Sequence, residues 1–452
     1  MDYSNQLQAE QQIVLGYQPN SEAFGVIQQR RSANYKPNIW KYDFLQSLSS
    51  KYDGKEYRRR AENLRQSVKA IRALLNCFTL QAHEAAWLRD VFNGYLDEKG
   101  TFSKTKCREI KGVLELFQAS YLALEGENIL NEAKKFSTET LRNLNYSTLG
   151  SNLAKEVVHA LELSTHWRVQ WFDVKWHITM YESENIKNID KNILLEQAKL
   201  NFNAVQATLQ KDLSQVSRWD FSEIQQLPEC MKICFRALYE ITNEIAYDIQ
   251  EHNGWINVQP LLHLRKAWAG FCKALLVEAK WYNEGYTPSL EEYLSNALIS
   301  SGGIVISVHS LLSVEPHDQI SEEMLNFLGQ NEDLVYNVSI IIRLCNDLGT
   351  SVAEEERGDA PSSILCYMRE VNVSEEQAQE HIKDLITNTW KKINGQSFNI
   401  SQSPSLQSFV KVTTNIARMV HCLYQFGDGF GIQDKETRRH ILSLLIEPYK
   451  LD

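Results

Sequence analysis

An all-α protein of two helical domains is the fold this sequence predicts. Three observations lead there. Apolar residues recur at three- and four-residue spacing along most of the 452 residues, which is the period of one helix face. Prolines number only nine, so long helices run uninterrupted. Alternating apolar and polar runs between turn residues, the mark of strands, are scarce. The length and the 43% hydrophobic content exceed what one small core needs and suit two.

The elements follow in order. In REIKGVLELFQASYLALEGENIL, Ile110, Val113, Leu114, Phe117, Tyr121, Leu122 and Leu124 predict one broad apolar stripe. NYSTLGSN, from Asn145 to Asn152, is the best boundary and divides the chain into domains 1–148 and 149–452. In GYTPSLEEYL, Thr287 is placed to cap a helix whose first position is Pro288. SNALISSGGIVISVHSLLSV is the most apolar stretch, but serines, a Gly-Gly pair and His309 interrupt it, so it makes a poor membrane span. In NVSEEQAQEHIKDLITNTWKKI, Ser374 and Gln377 form a capping box, and Ala378, Ile382, Leu385, Ile386 and Ile393 line one side. YDGKE, DEKGT, EHNGW, VEPHD, NGQSFNISQSP and FGDGFG read as breaks between helices.

Composition narrows the function. The formal charge is −10 and no dense basic patch exists, which argues against nucleic acid as a partner. Arg58, Arg59 and Arg60 lie among acids and read as a solvated helix face. Eight cysteines form no CxxC pair, and Cys230 and Cys234 find no companions for a zinc set, so a reduced intracellular protein is expected. Residues 1–29 hold no Lys or Arg but contain Asp2, Glu10 and Glu22, unlike a transit peptide. The expected location is cytoplasmic as written, and plastidial if the N-terminus is truncated. No glycine-rich phosphate loop follows a strand, and neither GxSxG nor HExxH occurs, which argues against a nucleotide enzyme, a serine hydrolase and a zinc protease.

One stretch carries chemistry. RLCNDLGTSVAEEERGD runs from Arg343 to Asp359, with Asn346, Thr350 and Glu354 spaced four residues apart. On a helix each step drifts only ~40° around the axis, so the three oxygen donors share a face about 12 Å long. Mg²⁺ takes a few such ligands and fills its octahedron with water and phosphate oxygens. Arg343 lies near the same face, and Arg357 follows just beyond; either could grip a phosphate. A polar helix end with a solvated acidic run would look similar.

NDLGTSVAE resembles the second metal motif of class I terpene synthases, written (N/D)Dxx(S/T)xxxE. RRSANYKPNIW, with Arg30, Arg31 and Trp40, resembles the RRx8W signature of plant monoterpene synthases. ASYLALEGENIL, WYNEGYTPSLEEYLSNALISSGG and YQFGDGFG resemble the same family, so the likeness spans nearly the whole chain. It implies an N-terminal α-barrel-like domain and a C-terminal class I bundle. It implies a carbon–oxygen lyase of monoterpene type that ionises geranyl diphosphate with Mg²⁺, or Mn²⁺ in its place. By resemblance Asn346, Thr350 and Glu354 become metal ligands and Arg343 meets the diphosphate, with Arg357 beside it. Arg30 and Arg31 would cap the closed site. Trp171, Trp176 and Tyr424 are candidate aromatic walls for a carbocation, and Asp428 would sit in a lid. SSGG, from Ser300 to Gly303, would break a helix beside the pocket. A monomer is expected.

The likeness has a gap. The family's first metal motif is DDxxD, and this chain contains no adjacent aspartate pair. AKLNFNAVQATLQKDLSQVSRWDFSEIQQLPECMK resembles two family regions fused near Ser214 to Trp219, and a smaller shortfall falls between Ala70 and Asp90. An internally shortened, impaired enzyme is therefore expected. Glu182, Glu184 and Asp190 are poor substitutes for the missing carboxylates. The alternative is a non-catalytic helical interaction protein. A prenyl-chain elongating enzyme fits poorly, since that class wants two aspartate-rich motifs.

Overall fold

In the computed structural model every regular element among the described residues is a helix. Described are 110–146, 149–183, 189–216, 237–245, 259–314, 332–357, 361–400, 407–428 and 435–450, with scattered positions between 44 and 102. All belong to one compact unit, Asn38–Asp452. Arg30, Arg31 and Trp40 lie outside the described residues, as do the Ala70 to Asp90 stretch and Ser217 to Trp219.

Three helices make a small core of their own: α1 (Ile110–Ser120), α2 (Asn128–Arg142) and α3 (Ser151–Glu162). Val113, Leu114, Phe117, Leu141, Val157 and Ala160 bury together there. The predicted stripe holds through Phe117. Tyr121 still packs on Phe117 at 5.2 Å, but α1 ends at Ser120 and Leu122 turns outward, half exposed. Next come α4 (Gln170–Ser183) and α5 (Ile189–Val216). On α5, Asn203, Gln206 and Gln210 are buried amides that donate to the carbonyls of Tyr449, Leu444 and Leu445 at 2.9, 2.8 and 2.7 Å. The last two satisfy carbonyls at the end of α13 (Lys435–Leu445) that no helical N–H can reach, and the first holds the chain just beyond it.

The main bundle comprises α6 (Gln259–Glu284), α7 (Leu290–Ser300), α8 (Gly303–Val314), α9 (Glu332–Arg357), α10 (Ser363–Val371), α11 (Glu375–Ile400) and α12 (Gln407–Tyr424). The predicted capping box forms: Ser374 N–H donates to Gln377 Oε1 at 3.1 Å and Gln377 N–H to Ser374 Oγ at 3.4 Å. Ala378, Ile382, Ile386 and Ile393 follow into the core, joined by Trp390. Two local expectations need correction. The cap of α7 is Ser289, which accepts from Glu292 N–H, because Thr287 is drawn off to accept from Arg369. NGQSFNI continues α11 as far as Ile400 instead of breaking it. Asn394 tolerates the helix because its amide works outside it, donating to Tyr121 and Ala123 carbonyls at 3.1 and 3.0 Å.

The apolar stretch Leu290–Leu312 has the length and composition of a membrane span, but it is two core helices. Gly302 breaks it at φ +77°, and Tyr293, Ala297, Val305, Val308, Leu311 and Leu312 bury inside the bundle.

Two histidines are buried neutral. His421 accepts from Trp390 Nε1–H at 2.8 Å and stacks on Trp167 at 4.6 Å; burial pulls it down to about 3. His166 bonds Asn394 Oδ1 at 2.9 Å, and burial pulls it down to about 4. Both ionise near 6.5 once unfolded. Their neutral forms therefore stabilise fully above pH 6.5, and that stability drains away as pH falls toward 4. Urea unfolding should show a loss of about 2 kcal/mol per histidine between pH 7.5 and 5. His421→Leu should flatten its share of that slope.

Candidate active site

Helix α9 runs through the bundle against α7, α8, α10, α11 and α12. Val338, Ile341, Leu344 and Cys345 are buried on several sides, so the helix is apolar nearly all round. Polar residues on such a helix need partners. Asp347 is 1% exposed and accepts from Tyr293 Oη–H at 3.0 Å and Ser363 N–H at 2.8 Å. Burial pushes its carboxyl up, opposed by the Arg343 guanidinium 3.9 Å away. This one side chain ties α7, α9 and α10 together.

Arg343 is nearly as enclosed. Its Nη2 donates to Ser300 Oγ at 3.1 Å and to Glu278 Oε1 at 3.3 Å, and the guanidinium lies 5.9 Å over the Tyr293 ring. Ser300 in turn donates to Glu278 at 2.5 Å. Burial disfavours the charged guanidinium, yet Tyr293, Asp347, Glu278 and Glu354 together hold it above its usual range. Its Nε–H is buried without an acceptor.

Asn346, Thr350 and Glu354 lie along one side of α9, as the spacing predicts. Asn346 and Glu354 are partly exposed; Thr350 is buried and donates to the Asn346 carbonyl at 2.8 Å. That bond uses the Thr350 proton and leaves its oxygen lone pairs. Tyr424 comes over from α12 to bond the Asn346 side chain. Burial pushes the Tyr424 phenol up to about 12. A Cβ on Gly349 would sit 3.1 Å from both the Gly427 carbonyl and the Tyr424 ring, so the start of the glycine segment presses on the motif helix. Gly427 takes φ +118°, and Asp428 follows it, partly buried and within electrostatic reach of Tyr424. The SSGG break meets the same helix nearly three turns before Gly349: a Cβ on Gly303 would stand 2.9 Å from Ser339 Cα.

Other expected residues sit elsewhere. Trp171 stacks on Phe202 of α5 at 4.7 Å, and Trp176 stacks on His159 at 3.9 Å. Tyr424 is the one of the three aromatics that meets the motif. Arg357 closes α9, and its side chain lies outside the described ones. Glu182 is engaged by Lys199. Asp347, Tyr293, Glu278 and Ser300 were not foreseen. Asp347 lies inside the motif, but off the metal face, and its hydrogen-bond partners Ser363 and Tyr293 are 16 and 54 residues away in sequence.

The donor set fits one Mg²⁺ by its chemistry: an amide, a hydroxyl and one carboxylate, all oxygen, with water and phosphate oxygens to fill the rest of the octahedron. Among the described residues no group of three or more His, Cys, Asp or Glu could hold a metal.

The model of the "Terpene synthase family, metal binding domain" matches residues 209–392, and that of the "Terpene synthase, N-terminal domain" matches 77–161. The chain is 44% identical to the α-farnesene synthase of Ricinus communis over 98% of this chain and 99% of that one. This chain belongs to the terpene synthase family. An (E,E)-α-farnesene synthase of Malus domestica is 43% identical over 99% of this chain and all of its own, and a (−)-α-terpineol synthase of Vitis vinifera is 35% identical over 93% and 91%. Among solved structures, a limonene synthase with 2-fluorolinalyl diphosphate superposes with TM-score 0.79 at 26% identity, covering 93% of this terpene synthase chain and 100% of that one. Isoprene synthase of Populus x canescens, in complex with three Mg²⁺ ions and dimethylallyl-S-thiolodiphosphate, gives 0.71 at 29% identity, covering 91% and 99%. The Ricinus alignment runs over 567 positions while this chain has 452 residues, so at least 115 positions hold no residue of this chain. Both ends are covered, which makes the shortening internal.

Removing the Asp347 carboxylate should leave Arg343 and Tyr293 short of a partner inside the bundle. Asp347→Ala is expected to cost about 3–5 kcal/mol in urea unfolding, and Tyr293→Phe about 1 kcal/mol. Gly303→Ala should cost about 1–3 kcal/mol by overpacking against Ser339.

Proposed function

We propose that this terpene synthase chain binds a prenyl diphosphate through a one-metal face made by Asn346, Thr350 and Glu354, with Arg343 behind it. The observation that carries the reading is the rigid placement of those donors on a buried helix, with Tyr424 and Gly427 packed against it. Bound there, Mg²⁺ or Mn²⁺ would screen the negative charge of the departing diphosphate. Arg343 adds its own charge once a phosphate oxygen displaces Glu278. Tyr424 and Asp428 stand on one side of the face, and roles for Arg357, Arg30 and Arg31 toward the diphosphate rest on the family resemblance alone. Trp171 remains a proposed substrate wall only through its neighbour Phe202. The division at 148/149 belongs to the same reading.

Geranyl diphosphate and monoterpene chemistry were expected from the RRx8W stretch. Relatives named farnesene synthases stand at 44% and 43% identity, against 35% and 34% for those named after monoterpenes. This supports farnesyl diphosphate ahead of geranyl diphosphate. Relatives from Quercus ilex and Litsea cubeba are named chloroplastic, which supports the plastid side of the location.

Turnover in this form is impaired, because one metal ion held through a single carboxylate, with one arginine, supplies only part of the positive charge that ionisation requires. The purified chain with Mg²⁺ and each diphosphate should release diphosphate about 10²-fold or more slowly than a full-length relative. What release there is should favour farnesyl diphosphate and vanish in Glu354→Ala. Robust turnover would contradict the impairment, and an unaffected Glu354→Ala would contradict the site.

One observation favours the interaction reading. Leu275 and Leu276 on α6 stand 40% and 56% exposed, a use of leucine that suits a protein partner. Light scattering decides whether the chain is the expected monomer; a monodisperse monomer that captures no full-length relative would remove this reading.

A further inference from the structure

A cavity lies on another side of α9 from the metal face. It has a volume of about 970 Å³ and opens between α2 and α11, with Cys345 and Leu348 of α9 and Tyr424 of α12 at its floor. Cys345 and Leu348 point from a different side of α9 than Asn346, Thr350 and Glu354, by roughly 100° or more. Five cationic and four anionic side chains line it. Their pairing is uneven. Lys383 is matched by Glu380 at 3.5 Å. Lys134 reaches only Thr387 Oγ1, at 3.5 Å, and Lys391 only Asn388 Oδ1, at 3.4 Å. Among the described residues neither ammonium has a carboxylate within ion-pair distance.

Lys134 is the more unusual of the two. Its Nζ sits 4.2 Å over the Tyr121 ring and 5.1 Å over Trp167, in an aromatic corner that favours a cation. Burial, then the like charge of Lys391, pulls its amine down to about 8. The Trp167 indole N–H, on the same wall, is buried with no acceptor. The two ammonium groups therefore bond only neutral oxygens, and Asp384 offsets the charge of Lys134 from beyond ion-pair distance. Beside it run Trp167, Leu348 and Ile386, which are apolar.

We propose that this cavity binds an amphipathic anion, its phosphate or carboxylate head held between Lys134 and Lys391 and its apolar chain laid along Trp167, Leu348 and Ile386. An oxyanion is a stronger acceptor than the Thr387 hydroxyl and the Asn388 amide that these lysines use at 3.5 and 3.4 Å, and it relieves their mutual repulsion. The apolar wall adds affinity in proportion to the chain surface it covers. Tyr424 is common to this cavity and to the metal face, where it bonds Asn346. An occupant would thus touch the residue that buttresses the motif. The site stands independently of the reaction assigned above.

The test is calorimetric titration of the full chain, in EDTA, with octyl phosphate, octanoate and the uncharged octyl glucoside. One equivalent of an anion should bind and octyl glucoside should not; the order of phosphate and carboxylate identifies the head. Lys134→Met and Lys391→Met should each weaken binding about tenfold or more. Lys134→Arg should restore most of it, which separates loss of charge from loss of fold. Glu354→Ala should bind as the parent does, since the metal face is not involved. Unchanged affinity in both lysine variants, equal binding of octyl glucoside, or loss in Glu354→Ala would each overturn the proposal.

Discussion

A single buried carboxylate sets the frame on which the candidate site rests. Asp347 is enclosed on a helix that is apolar nearly all round, where an unpaired charge is costly. It is met by the Tyr293 hydroxyl from α7, the Ser363 N–H at the start of α10, and the Arg343 guanidinium one turn back. Arg343 passes the constraint on to Ser300 and Glu278, so α6 joins as well. Three helices are thereby fixed in rotation about α9. The face that carries Asn346, Thr350 and Glu354 can point only one way, toward Tyr424 and Gly427.

The same frame explains why the motif survives in a shortened chain. Its partners all come from segments present here, between Glu278 and Asp428. What the chain lacks is internal: at least 115 positions relative to a Ricinus farnesene synthase, and no adjacent aspartate pair anywhere. A helix can keep its register while the charge opposite it is gone. On the proposed reading one metal position remains, and Arg343 is paired from within by Glu278 and Asp347.

Much of this was legible in the sequence. Spacing alone put three oxygen donors on one face, because a helix repeats locally and needs no tertiary knowledge. The Ser374–Gln377 cap and the stripe from Ala378 to Ile393 were legible for the same reason. Contacts between distant segments were not. Thr287 looked like a cap until Arg369 claimed it, and Asn394 looked like a break until the Tyr121 and Ala123 carbonyls gave its amide a task. Tyr293 and Asp347 are 54 residues apart, and nothing in either neighbourhood announces the other. Trp171 and Trp176 were singled out as aromatics, but only packing could reveal that they stack on Phe202 and His159.

The central claim is a one-metal half-site on α9. Manganese, which is paramagnetic and takes the oxygen ligands Mg²⁺ takes, counts it directly. Electron paramagnetic resonance of the full chain with Mn²⁺ and inorganic diphosphate should show one bound ion per chain, lost in Glu354→Ala. A cluster of several ions, or one that persists in Glu354→Ala, would contradict the account.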